Sequence, residues 1–254
     1  MYQVLLNLVA AAIGWLASVA FNALKRQRIR SRQMRAFCDF FGSSRHLVVI
    51  HSAVLDDPSP NSAGLSVDHP VYNYPATDIR ATRLLGQLFE SVGLKEGKDF
   101  AILPDIRVKA DASLWESDIV LLCGPARNHV FRSLCPVIRM RYTMEVDAVG
   151  SNVLRDTLRG GQQLLASREL PLPASEGDFD YGLLASLPNP YNQSRRVVLL
   201  AGIHGTGTVG AAQFLSTDKG LQEISKRRQG QVVSELVKAS YDGDIETPTS
   251  LRLA

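Results

Sequence analysis

The chain opens on an unbroken uncharged run. Residues 4–24, VLLNLVAAAIGWLASVAFNAL, are dominated by leucine, alanine and valine, and nothing from Met1 to Leu24 carries a charged side chain. As a helix rising about 1.5 Å per residue, such a run covers about 30 Å, the thickness of a bilayer hydrocarbon core. Its positive charges follow it, from Lys25 to Arg35. That is the wrong order for a cleavable signal, and it places the basic end on the cytoplasmic side. The pattern predicts a single-pass transmembrane anchor over 1–24, a basic juxtamembrane linker or helix over 25–45, and a cytoplasmic domain over 46–254. Ala10, Gly14 and Ser18 fall four apart, a small-residue face that lets two membrane helices approach and form a homo-oligomer.

Beyond this segment the apolar positions come in short runs separated by turns. HLVVIHSAVLD, His46 to Asp56, starts with a β-branched apolar run and reads as a first strand, and the proline-rich stretch that follows it to Pro75 reads as a long excursion carrying Tyr72 and Tyr74. Ile79, Leu84, Leu85, Leu88 and Phe89 form a helical stripe. KDFAILP is a short strand, and SDIVLLCG is apolar throughout its middle, as a central parallel strand covered on both faces would be. A short helix follows in PARNHVFRSLC, a strand or edge segment in VIRMRYTMEV, and a strand in DYGLLASLPNP, whereas the polar stretch between the last two has no clear period. SRRVVLLAGIH is the strongest strand; a helix from about Thr208 to Leu215, a charged helix around LQEISKRR and a strand in QVVSELVKAS complete the series. This alternation predicts an α/β fold: a three-layer Rossmann-like sheet, mainly parallel, with an antiparallel addition around residues 137 to 190 and a transmembrane helix before it. In such sheets ligands lie beyond the carboxyl ends of the strands.

Charge changes the picture once it is divided. The chain has 28 basic and 25 acidic residues, but six of the basic ones lie between Lys25 and Arg35, leaving 22 against 25 in the rest. A domain with a slight acidic excess argues against nucleic acid as a partner, because phosphate binding spreads lysines and arginines over the whole footprint. Cys38, Cys123 and Cys135 have no paired or metal-ligand spacing, which fits a reducing compartment, and Cys123 in its apolar run reads as a buried thiol. The histidines have no metal-ligand spacing, so no metal site is predicted, and no cofactor is identified beyond a nucleotide ligand for the turn described next.

The segment GIHGTGTVG carries the main candidate chemistry. Gly205, Gly207 and Gly210 satisfy G-x-G-x-x-G after a strand, but no acidic residue stands at the end of a following strand to meet a ribose, and Thr208 occupies the place of a phosphate-loop lysine. What is left is an anion-facing turn built from Gly205, Thr206, Gly207 and Thr208 with His204 at its rim, or else a turn whose glycines only let a helix pack closely. CGPARN offers Gly124, Arg127 and Asn128 at another strand end, with Arg127 suited to a bidentate anion contact and Asn128 suited equally to a helix cap. Asn189 with Tyr191, and Tyr74 with Thr77, sit at further turns. For catalysis the candidates are His204 as acid or base, with His51, Asp56 and Asp57 as a second group. Glu145 and Asp147 would face alike in a strand as a carboxylate pair, and Asp180 is a third acid.

Gly205-Thr206-Gly207-Thr208, with SDIVLLCGP as an inner strand, resembles the Gly-Thr turn of the Rossmann-like family that includes lysine-decarboxylase-like nucleotide phosphoribohydrolases and related nucleotide sensors. The resemblance covers about 30 residues and implies a turn that grips phosphate. The family's catalytic glutamate is missing, since Val209, Gly210, Ala211 and Ala212 follow Thr208. The expectation is therefore a membrane-anchored cytoplasmic sensor or effector for a nucleotide or other phosphate-bearing small molecule, of the kind used in bacterial stress or antiviral signalling. The alternatives are a membrane-bound nucleoside or NAD N-glycosidase or transferase, and a non-catalytic structural or interaction module.

Overall fold

A computed structural model describes residues 2–42, 46–55, 72–73, 75–108, 113–170, 177–227, 231–242 and 248–254; side chains at 2–14, 16–17, 23, 26, 29–30, 54–55 and 72–73 lie outside that description. In chain order the elements are α1 (Tyr2–Phe41), β1 (Leu47–His51), β2 (Val54–Leu55), β3 (Tyr72–Asn73), α2 (Ala76–Ser91), β4 (Phe100–Pro104), β5 (Asp118–Leu122), α3 (His129–Leu134), β6 (Tyr142–Val146), β7 (Asn152–Asp156), β8 (Gln162–Leu164), β9 (Asp178–Pro188), β10 (Arg196–Gly202), α4 (Gly205–Leu215), α5 (Asp218–Lys226), β11 (Val233–Tyr241) and β12 (Ser250–Leu253).

Seven strands form the main sheet in the order β12-β11-β9-β10-β5-β1-β4. Neighbours from β10 through β5 and β1 to β4 pair in parallel, whereas β9 is antiparallel to both β10 and β11, and β12 is antiparallel to β11. The sheet is thus mixed, and the expected mainly parallel Rossmann-like sheet is corrected. The reason is local: the Pro188–Arg195 connection is a hairpin, closed by the Asn189 amide on the Arg195 carbonyl at 2.9 Å, so β9 must lie antiparallel beside β10. The chain then crosses through α4 and α5 and returns on the far side of β9.

Strand alternation feeds two cores. Val120 and Leu122 of β5, with Val198 and Leu200 of β10, face a core that includes Phe40 and Phe41 of α1 and Leu85 and Phe89 of α2. Ile119 and Leu121, with Val197 and Leu199, face the other core, covered by Phe131 and Leu134 of α3 and by Met144 and Leu154 of β6 and β7. The second face is therefore covered by one six-residue helix and a three-stranded antiparallel sheet, β6-β7-β8, which falls within the stretch expected to hold an antiparallel addition. In α2, Ala81, Leu85, Leu88 and Phe89 are buried at helical spacing, but Ile79 at the start of the expected stripe is 49% exposed.

The single-pass topology is not upheld. Among the described residues no helix is long and apolar enough to cross a membrane. α1 does not end at Leu24 but continues through the basic stretch to Phe41, and its carboxyl end is seated in the domain, with Phe37 stacked on Phe41 at 4.7 Å and Phe41 edge-on to Phe89 at 5.3 Å. The side chains of Ala10 and Gly14, on which the self-association face depends, lie outside the described residues. The membrane partner, the homo-oligomer through that helix and the derived localisation are withdrawn with the span.

Candidate functional site

The parallel strands β5 and β10 end side by side, and their turns diverge toward α3 and α4. Between those turns, the start of α2 and the β6–β7 hairpin lies a cleft of about 420 Å³. Thr77 and Asp78 from α2, Cys123 and Arg127 after β5, Asn152 at the start of β7, and His204 after β10 contribute the polar lining.

The floor is a buried polar group. Asp78, in the first turn of α2, is 1% exposed, and its carboxylate accepts a short hydrogen bond from the Ser52 hydroxyl just after β1. The Cys123 side chain lines the cleft together with Asp78. Burial raises the Asp78 pKa, while Ser52, the charge of His51, Cys123 and the charge of Arg127 act against that rise. Burial, and next the charge of Asp78, push the Cys123 thiol up to about 12, so the thiolate is scarce at neutral pH. Cys123 is also the one non-glycine among the described residues with a positive φ, 69°. β5 hands its last amide bond to the Leu200 carbonyl of β10 at 3.0 Å and turns sharply there. Left-handed backbone at a side-chain-bearing residue costs on the order of 1–3 kcal/mol.

The turn after Cys123 is fastened from two sides. Asn128 is fully buried: its side-chain oxygen caps α3 by accepting from the Phe131 amide at 3.0 Å, and its amide donates to the Ile50 and Leu122 carbonyls at 3.1 and 3.0 Å. Asn128 is therefore the cap that the sequence offered as one option, and it ties β1 to β5 instead of lining the cleft. Asn152 accepts from the Ala126 amide at 2.9 Å and donates to the Gly202 carbonyl at 3.2 Å, bridging both turns from the small sheet. A Cβ at Gly124 would lie 2.2 Å from the Asn152 amide nitrogen, so this contact requires glycine. Arg127 is exposed at the mouth.

The Gly205–Gly210 turn is differently built. Asp180 of β9 is fully buried behind it, and one of its oxygens accepts from the His204 and Gly207 amides at 3.1 and 2.6 Å, while the other accepts from the Tyr181 amide at 2.8 Å. Burial raises Asp180 to about 7, and the amides of Gly207, His204 and Tyr181 oppose that rise. The helix start that was expected to face an external anion is thus capped by the protein's own carboxylate. The glycines serve approach: a Cβ at Gly205 would lie 2.5 Å from the Thr77 hydroxyl, at Gly207 2.3 Å from the Tyr181 carbonyl, and at Gly210 2.5 Å from the Ala239 Cβ. The Thr208 hydroxyl accepts from the Gly202 amide at 2.9 Å, and Thr206 is buried. A phosphate at this turn would meet the Asp180 charge, which corrects the expected nucleotide or phosphate ligand.

His204 stands at the N-cap of α4 without capping it through its side chain. Its Nε2 lies 3.6 Å from Glu169, beyond hydrogen-bond range, and has no hydrogen-bond partner among the described residues. Burial lowers its pKa, and Glu169 only partly offsets this, so the ring is neutral at pH 7. The carboxylates proposed for glycosidic cleavage do not assemble. Glu145 pairs with Arg155 at 3.2 Å and faces a separate recess beside Cys135, whereas Asp147 falls past the end of β6 and shapes the hairpin by accepting from Val149 and Ser151. Asn189 is buried in the hairpin at the opposite end of β10, near Trp115, where Tyr191 also packs, so these two stand away from the cleft. Tyr74, Asp56 and Asp57 lie outside the described residues, and His51 turns its Nδ1 to the Ser52 carbonyl at 3.0 Å.

Ser52, Asp78 and Asn152 were not singled out from the sequence. Asp78 alone had a signal, its place in the first turn of an amphipathic helix; Asn152 sits in the stretch with no period. No protein-family model matches the chain, and no curated protein matches it.

Proposed function

We propose that this chain is a recognition domain that holds a small polar organic molecule in the cleft between the β5 and β10 turns. The membrane-bound nucleotide sensor and the membrane-bound glycosidase are set aside with the findings above. The observation that carries the reading is the cleft's construction: about 420 Å³ at the carboxyl ends of parallel strands, with a buried carboxyl group at its floor and a guanidinium at its mouth. That volume lies in the range of small-molecule sites, and the position is where open α/β sheets bind ligands. Recognition is favoured over chemistry because the one thiol in the cleft is held protonated and the one imidazole makes no hydrogen bond to a carboxylate.

Thermal unfolding against a panel of amino acids, organic acids, amines and polyols tests this. A ligand at about 100 times its Kd stabilises by about 2.7 kcal/mol, a shift of several degrees for a domain of this size. The expected result is a shift that weakens when Arg127 is replaced by alanine. A panel without any shift, or shifts indifferent to cleft substitutions, would overturn the proposal.

A further inference from the structure

The geometry points to a zwitterion of the amino-acid type as the ligand of this cleft, its ammonium group directed to Asp78 at the floor and its carboxylate to Arg127 at the mouth; this rests on the recognition reading above. Neither charged end of the site has a salt bridge among the described residues, although the charges of Arg127 and His51 are felt at Asp78. Asp78 is buried and its carboxylate accepts from a neutral donor, the Ser52 hydroxyl, with no salt bridge among the described residues. A buried carboxylate whose direct hydrogen-bond donor is neutral gains from a cation brought into contact with it, because burial has removed the water that would solvate its charge. Arg127 is exposed on the cleft lining, and its planar donor fork suits a bidentate contact to a carboxylate.

The other ligand classes each leave something unmatched. A purely anionic molecule would set its charge between Asp78 and the Asp180 carboxylate behind the α4 turn. A simple amine would leave Arg127 unused, and a polyol would satisfy neither charge. The remaining lining suits the polar middle of a small zwitterion: Thr77, Thr208 and Ser151 offer hydroxyls, and His204 offers a neutral ring. Asn152, already committed to the Ala126 amide and the Gly202 carbonyl, holds the two walls at fixed separation.

Calorimetric titration of the full chain, followed by amide chemical shifts of Ala126 and Gly202, tests the inference. Four probe classes are compared: free amino acids, their N-acetyl derivatives, their carboxamides, and a neutral polyol such as inositol, with short peptides added to separate free amino acids from peptide termini. At least one free amino acid or short peptide is expected to bind, and to lose about tenfold or more in affinity when either charge is blocked. Arg127→Ala, an exposed position, should abolish the penalty for blocking the carboxylate while leaving the penalty for acetylation. Asp78→Asn should do the reverse, and if that variant fails to fold, the Arg127→Ala result decides alone. Equal binding of blocked and free forms, or binding by the polyol only with shifts at Ala126 and Gly202, would overturn the zwitterion and keep the cleft. Unmoved amides with every probe would overturn both.

Discussion

The turns after β5 and β10 look alike in sequence and do opposite things. Each leaves a buried parallel strand through a glycine and enters a helix. After β10 the opening of the helix is filled: Asp180 occupies the His204 and Gly207 amides, and each motif glycine gives up its side chain to a neighbouring element. After β5 the turn opens onto the cleft, with Cys123 in a left-handed conformation and Arg127 at the mouth. A helix start binds an external anion only if its amides are not already satisfied, and a glycine pattern signals close backbone approach before it signals a ligand.

The largest test of the contrast is the pH dependence of the closed turn. Asp180 is raised from an ordinary 3.8 to about 7. The folded state then holds this proton more tightly than the unfolded state. Its stabilising contribution is complete below about pH 4 and is lost as pH rises through 7. Asp180→Asn, neutral throughout, should gain on the parent by up to about 4 kcal/mol between pH 4 and 8, read from urea denaturation across that range. A constant gap would show that the three amides fully offset burial.

Steric tests of the two turns come next. Gly207→Ala should cost about 3 kcal/mol, since its Cβ would meet the Tyr181 carbonyl at 2.3 Å and backbone cannot step aside. Gly124→Ala should cost less, about 2 kcal/mol, because the atom in the way is the end of the Asn152 side chain. Its signature would be local: faster hydrogen exchange at Ala126, whose amide loses its partner. Equal costs, or exchange unchanged at Ala126, would remove the distinction between a rigid wall and an adjustable one.

The smallest effect falls on Cys123. Cys123→Gly should be neutral or stabilising by up to about 1 kcal/mol, since relief of the left-handed backbone offsets the loss of the thiol, whereas Cys123→Ala keeps the strain and should destabilise. Chemical denaturation of the pair gives the comparison directly; alanine more stable than glycine would mean that the backbone is unstrained.

Much of the frame was legible. β5 and β10 stood out because strands buried on both faces must be apolar at every position, and α2 because one stripe of it is buried. The two turns at the carboxyl edge followed from those strands. Asn128 also carried its own signal, as a capping residue type just ahead of a helix. Ser52 and Asn152 had none, because their partners lie far along the chain, and Asp180 gave no sign that it would fill the helix start 24 residues after it. Asn189 misled because a strand end was recognised without knowing which end of the sheet it occupied.

By itself the sequence determined the alternation of strands and helices, the two cores' apolar residues and the glycines at which backbones meet, since those depend on neighbours a few positions away. Only the tertiary structure decided that β9 runs against its neighbours, that Asp180 closes one helix start, and that Asp78 floors a cleft capped by Arg127. Strand direction and the pairing of buried charges are set by hydrogen bonds between distant segments, and their partners are identified only once the chain is folded.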